Sequence, residues 1–264
     1  MSKTILITGA TDGIGLEAAK LLAREGHTML VHGRNAAKLD AARATIGGKT
    51  HGYLADLSHT GDVIKLADDI IRDHARIDVL INNAGVLKAP ETTTEDGFDL
   101  RFMVNTIAPY ILTKRLLPLL VNDSRIINLS SAAQAPVEIA ALKGGIKMED
   151  MDAYSQSKLA ITIWSQYLAT TLPDGPSSIS VNPGSLLATN MVKEGFGIAG
   201  NDIAIGANIL RRAAVDPEFA NVSGRYFDND AGSFGQPHPD ATDPAKVSAV
   251  MQAIEAITSQ LLTT

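Results

Sequence analysis

The chain has no cysteine among its 264 residues, so it carries neither a disulfide nor a thiolate metal site, and a reducing compartment such as the cytoplasm suits it. Basic residues are the scarcer charged class: 23 Lys and Arg against 29 Asp and Glu give a formal charge of −6. Nucleic acids and anionic membrane surfaces are held by clustered Lys and Arg, which this sequence lacks. No run approaches the roughly 18 consecutive apolar residues of a membrane span. The N-terminus passes almost at once into Ile5-Leu6-Ile7, without the basic and apolar regions of a secretory signal. The six histidines, His27, His32, His51, His59, His74 and His238, stand without ligand spacing, so no metal is expected. Internal repeats and low-complexity tracts are absent as well.

Hydrophobic residues make up 45% of the chain and charged ones 20%, enough to bury the core of one large α/β domain. Short aliphatic runs alternate with longer helical patterns, the signature of βαβ units. Strands are predicted at 3–8, 28–32, 50–55, 78–82, 125–129, 178–182 and 225–227. Helices are predicted at 14–24, 36–46, 62–74, 97–120, 152–171, 202–214 and 244–262, the fourth kinked at Pro109. Apolar runs of this kind belong to strands covered on both faces. The fold class is therefore α/β, one domain with a doubly wound parallel sheet of about seven strands. Ligands of such sheets bind beyond the carboxyl ends of the strands.

The first strand ends in Thr8-Gly-Ala-Thr-Asp-Gly-Ile-Gly15. Gly9, Gly13 and Gly15 lie between strand and helix, where missing side chains let backbone approach a pyrophosphate at a positive helix terminus. The second strand ends in His32-Gly-Arg-Asn35, the third in Ala55-Asp56-Leu57, the fourth in Asn82-Asn-Ala-Gly85 and the fifth in Leu129-Ser-Ser131. Tyr154-Ser-Gln-Ser-Lys158 places a phenol and an ammonium one helical turn apart. Moving a tyrosine pKa from about 10 to about 7 needs roughly 4 kcal/mol of preference for the phenolate, part of which a neighbouring cation supplies. Val181-Asn-Pro-Gly184 closes the sixth strand.

These motifs, in this order over residues 4–189, resemble the short-chain dehydrogenase/reductase family, and the long gap between Ser131 and Tyr154 resembles its retinol-dehydrogenase-like and carbonyl-reductase branch. The resemblance implies a Rossmann-type fold, with a cofactor half over about residues 1–130 and a catalytic and substrate-binding half over 131–264. It gives Tyr154 the role of general acid and base. Lys158 lowers the tyrosine pKa and binds the nicotinamide ribose, Ser131 rather than Ser130 holds the substrate carbonyl, and Asn105, in a distorted helix, maintains a proton path. The cofactor contacts it implies are Gly9, Thr11, Asp12, Gly13, Ile14, Gly15, Arg34, Asp56, Leu57, Asn82, Ala84, Gly85, Tyr154, Lys158, Pro183, Gly184 and Thr189. Gly33 stands where an NAD-preferring enzyme places an acid, and Arg34 follows with a guanidinium suited to a 2′-phosphate, so NADP(H) is expected over NAD(H).

The implied reaction moves hydride between nicotinamide and the carbonyl or alcohol carbon of a small, apolar molecule. Alternatives are a dehydrogenase working mainly toward alcohol oxidation and a non-catalytic NADP-binding sensor. A homodimer or homotetramer in the cytoplasm is the implied assembly. Between Ser131 and Tyr154 an excursion is expected beside the active site. Leu186, Leu187, Met191 and Phe196, among three glycines, fit a mobile lid over an apolar pocket.

Overall fold

In the computed structural model, residues 2–263 are described, with the side chain of Phe196 outside that description. Eight strands form one sheet: β1 (Thr4–Ile7), β2 (Thr28–Gly33), β3 (Thr50–Leu54), β4 (Ile77–Asn82), β5 (Leu120–Leu129), β6 (Ser177–Asn182), β7 (Tyr226–Asp228) and β8 (Ser233–Gly235). Their spatial order is β3-β2-β1-β4-β5-β6-β7-β8. Pairing is parallel from β3 through to β7, and only β8 runs antiparallel, in a hairpin with β7. That eighth strand adds to the seven expected.

Side chains along β1 alternate in direction, so Ile5 and Ile7 join one core and Leu6 the other. The Ile5 and Ile7 face packs beneath α1 (Gly13–Arg24), α2 (Ala36–Ile46) and α9 (Ile203–Val215), where Leu22, Leu39 and Leu210 are buried. The Leu6 face is covered by α3 (Thr60–Asp73), α5 (Ala108–Leu116), α7 (Asp150–Thr171) and α10 (Pro244–Thr263), bringing Ile70, Ile111, Trp164 and Ile254 against it. Each such aliphatic side chain taken fully out of water contributes about 1.5–3 kcal/mol, which is why the apolar runs settle as two-faced strands.

The helix expected over 97–120 is broken into four, the last a 3₁₀ turn at Leu117–Leu119, and Leu120 already opens β5. Leu100–Phe102 (α4) passes into a π-helical turn, Met103–Ile107, before α5 begins, and the Ala108 amide bonds the Met103 carbonyl five residues back. Pro109 falls in the first turn of α5, where its missing N–H is tolerated, so the irregularity precedes the proline. Two short helices were not foreseen: α6 (Ile139–Leu142) inside the excursion, with Ala141 and Leu142 buried, and α8 (Asn190–Phe196) in the expected lid. No helix among the described residues is long and apolar enough to cross a membrane.

Candidate active site

The carboxyl ends of β1, β2, β4 and β5 open on a cavity of about 560 Å³ that runs from Arg34 to Tyr154. Its floor is glycine. Gly9 holds a φ of 65°, and a Cβ there would stand 2.8 Å from the Cα of Ala84. Asn83 ties the two loops together, its amide donating to the carbonyls of Thr8 and Gly9 at 2.8 and 3.0 Å. Asp12 caps α1 by accepting from the Gly13 amide at 2.7 Å, and its other oxygen takes a hydrogen bond from Asn190 at 2.5 Å. The loop beneath the cavity is thereby joined to the helix above it.

His32 supports the same loop from below. Its Nδ1 accepts from the Gly9 amide at 3.1 Å and its Nε2 lies 3.0 Å from the Ala55 carbonyl. Both contacts are met at once by the neutral ring with the proton on Nε2, and burial lowers the His32 pKa.

At the β2 end, Arg34 and Lys38 line the cavity with exposed cations, and neither is in a salt bridge with a described residue. Asn35 caps α2 by accepting from the Lys38 amide at 3.0 Å. Burial alone would raise the Asp56 pKa, but hydrogen bonds from the amide and hydroxyl of Ser58, with Arg34 nearby, hold it below the usual carboxylate range.

At the other end stand Tyr154 and Lys158, in the first half of α7. The Lys158 ammonium donates to the Leu129 carbonyl at 2.8 Å and sits 5.6 Å from the centre of the Tyr154 ring. Burial pushes the lysine pKa down to about 8. Burial likewise raises the Tyr154 pKa, opposed by hydrogen bonding with Ser131. Desolvation is the larger influence on the phenol, and the ammonium is directed at the Leu129 carbonyl.

The two serines lie just past the end of β5 and have different partners. Ser130 shares the face of Asn128 and is turned toward α7, its hydroxyl 2.6 Å from that of Thr162. Ser130 also lines the cavity, whereas Ser131 is not among its lining residues; the Ser131 oxygen accepts the Ala133 amide at 3.1 Å, and its hydroxyl is hydrogen-bonded with Tyr154. Its carbonyl is held by Gln134 at 2.9 Å and by the Tyr226 hydroxyl at 3.3 Å.

Several expected contacts lie behind the cavity wall. Asn82 is a correction: it is 2% exposed, and its amide donates to Thr113 and Asn128 inside the α5 and α7 core. Asn83 takes the place on the wall. Gly15 is also a packing residue, since a Cβ there would meet the Asn83 amide and the Gly9 carbonyl at 2.5 Å. Asn105 is buried, clamping Val86 through the Val86 amide (2.8 Å) and carbonyl (2.9 Å) and donating to the Ser157 hydroxyl at 2.9 Å. Gly184, with a φ of 118°, shapes the turn after Pro183 without lining the cavity. Thr11, Asp12, Gly13, Ile14, Leu57, Ala84, Gly85, Pro183 and Thr189 line it. Thr189 also caps α8.

Val86, Leu87, Leu100, Val104 and Met191 form an apolar wall at this end, with Lys88 and Glu194 also lining it. Of the expected lid residues, Met191 lines the cavity and Leu186 and Leu187 do not, while the Phe196 side chain lies outside the described residues. Leu187 is buried against Gly206, while Leu186 is exposed with a φ of 51°.

The short chain dehydrogenase family model matches residues 3–196. Human retinol dehydrogenase 13 is 34% identical over 260 residues, covering 86% of this chain and 76% of its own. Among solved structures, a putative uncharacterized protein from Mycobacterium paratuberculosis aligns with a TM-score of 0.80 at 29% identity, covering 97% of this chain and 93% of that one. A 3-ketoacyl-(acyl-carrier-protein) reductase from Brucella melitensis, complexed with NADH, shares the fold with a TM-score of 0.67 at 22% identity, over 86% and 96% of the two chains. The chain belongs to the short-chain dehydrogenase/reductase family, in its retinol-dehydrogenase-like branch, and is an NAD(P)-dependent oxidoreductase.

Proposed function

We propose that the protein is an NADP(H)-dependent oxidoreductase acting on the carbonyl or alcohol carbon of a small apolar molecule, with Tyr154 as its general acid in reduction and general base in oxidation. The observation that carries this reading is one continuous cavity with unpaired Arg34 and Lys38 at one end and Tyr154, Lys158 and an apolar wall at the other. The side-chain-free floor at Gly9 and Gly85 fits a dinucleotide: an added Cβ at Gly9 would stand 2.8 Å from the Ala84 Cα, and one at Gly85 would occupy cavity space beside Asn105 and Lys158 at ordinary contact distance. When bound, the nicotinamide supplies or accepts the hydride.

The protein's own residues handle orientation and the proton. Ser131, its oxygen already accepting an amide, donates to the substrate oxygen. Tyr154, whose pKa is raised by burial, is protonated near neutral pH and so ready to give its proton to a developing alkoxide. Lys158, with a pKa near 8, keeps its charge at pH 7 and holds ribose hydroxyls. Asn105 fixes the Val86 backbone, and the π-helical turn around it supports a proton path at that helix. Thr189 holds the carboxamide. Arg34, just before the Asn35 cap, and Lys38, in the first turn of α2, pair with the 2′-phosphate as two cations.

Residues 1–130 act as the cofactor half and 131–264 as the catalytic half in this reading, with Leu87, Leu100, Val104 and Met191 receiving the apolar substrate. A cytoplasmic homodimer or homotetramer completes the proposal, as the family resemblance implies. The test is oxidation of NADPH over a panel of ketones, aldehydes and 3-oxoacyl compounds, with NADH in parallel. Faster turnover with NADPH on apolar carbonyls supports the reading; activity confined to NADH contradicts its cofactor part.

A further inference from the structure

Gly33 is glycine for lack of space and not for its backbone angle. It ends β2 in parallel register with Leu54 of β3, and its φ is outside the left-handed region that favours glycine. A Cβ at position 33 would stand 2.3 Å from Thr11 Cγ2, 3.3 Å from Thr11 Oγ1 and 3.4 Å from Thr11 Cβ. The first of these is far inside van der Waals contact, and all three belong to one side chain. Thr11 itself lines the cavity beside Gly33 and Arg34.

We infer that Thr11 is a specificity-determining residue that keeps position 33 free of any side chain, and so bars a carboxylate from the ribose 2′ position. This rests on the NADP(H) reading, in which Arg34 and Lys38 receive a 2′-phosphate at that place. A carboxylate there would accept from a 2′-hydroxyl and repel a 2′-phosphate. Threonine 11 acts sterically on the other side of the same choice. With its methyl in place, an acid introduced at 33 is forced out of the site together with its own backbone. Trimming Thr11 to alanine removes Cγ2 and Oγ1 and leaves only the 3.4 Å contact with Cβ, an ordinary separation. Substitution at 33 alone therefore damages the cofactor site without converting it, and conversion needs both positions.

A double-mutant cycle on the intact enzyme tests this, with the Kd of NADPH and of NADH measured by calorimetry for the wild type, Thr11→Ala, Gly33→Asp and the double variant. Gly33→Asp alone is expected to lose NADPH affinity by at least about tenfold without gaining NADH affinity, and the double variant to bind NADH at least about tenfold more tightly than Gly33→Asp. If Gly33→Asp alone binds NADH as well as the double variant does, Thr11 is not the barrier and the inference falls. A wild type that prefers NADH would sink the NADP(H) reading, while the coupling between 11 and 33, read with NADH, would still decide the steric claim. Should Gly33→Asp not fold, Gly33→Ala carries the same test through thermal unfolding. It is expected to lower Tm by about 4 °C or more, with most of the loss recovered in Thr11→Ala/Gly33→Ala. Equal loss in both backgrounds would overturn the inference.

Discussion

The Lys158 ammonium lies 5.6 Å from the centre of the Tyr154 ring, yet it gives its hydrogen bond to the Leu129 carbonyl at 2.8 Å. The pair is adjacent without being bonded. Burial acts on both partners in the direction of neutrality, raising the phenol and bringing the ammonium down to about 8. A site so arranged holds a protonated acid beside a cation that is only modestly stable as one.

Lys158 should therefore cost stability. Its folded pKa of about 8 lies below the unfolded 10.5, so below pH 8 the full burial penalty applies, and it fades as pH rises toward 10.5. That penalty is about 3 kcal/mol, against about 1 kcal/mol for the hydrogen bond to Leu129. Lys158→Met is expected to be inactive yet about 2 kcal/mol more stable than wild type in urea at pH 7, with the gain shrinking at pH 9.5. A less stable variant at pH 7 would contradict this.

Ser130 and Ser131 should separate cleanly. Ser130→Ala breaks a buried contact with Thr162 and is expected to lower stability by about 1 kcal/mol with kcat nearly unchanged. Ser131→Ala is expected to lower kcat by about 100-fold at nearly constant stability. Urea unfolding and steady-state kinetics on both variants read this, and reversed effects would exchange the assignments.

His32 makes the glycine loop sensitive to acid. Its folded pKa lies below 6.5 because the ring is buried, so its contribution is complete above pH 6.5 and is lost as pH falls below that value. Protonation removes the acceptor for the Gly9 amide. Wild-type stability is expected to fall between pH 7.5 and 5.5 more steeply than that of His32→Gln. His27 and His74, also lowered by burial, remain in both proteins and cancel in the comparison. Parallel pH profiles would rule His32 out as the sensitive group.

Arg34 and Lys38 are expected to act on one cofactor only. Alanine at either position should weaken NADPH by about tenfold while leaving NADH within about threefold. Calorimetric titration with both cofactors distinguishes this from equal losses, which would remove the 2′-phosphate contact.

Much of this arrangement was legible in the sequence, for identifiable reasons. The inner parallel strands read as apolar runs because both faces are covered, whereas the edge strand β3, Thr50-His-Gly-Tyr-Leu54, keeps His51 and Leu54 exposed, and β8 escaped because Ser233-Phe-Gly235 offers one apolar residue. The break in 97–120 left no mark on the periodicity, since Met103-Val-Asn-Thr-Ile107 keeps a helical pattern and only its hydrogen bonding changes; the distorted helix around Asn105 was legible through the family resemblance alone. Asn82 was misplaced although a signal existed: it lies two residues after Leu80, so strand alternation turns both toward the α5 and α7 side. Lys38 could have been found from Asn35, whose capping role sets Lys38 in the first turn of α2, close to Arg34 in the chain. The bond between Asp12 and Asn190 joins residues 178 positions apart, and no local pattern announces it.

The central claim is that Tyr154 is the proton donor in a site that binds its cofactor without help from the phenol hydroxyl. Tyr154→Phe keeps the ring and removes only that hydroxyl. The most direct measurement is the turnover of this variant with NADPH and the best carbonyl substrate, alongside its Kd for NADPH. The expected result is a kcat lowered by at least about 100-fold with Kd within about threefold of wild type. Retention of most of the activity would contradict the account.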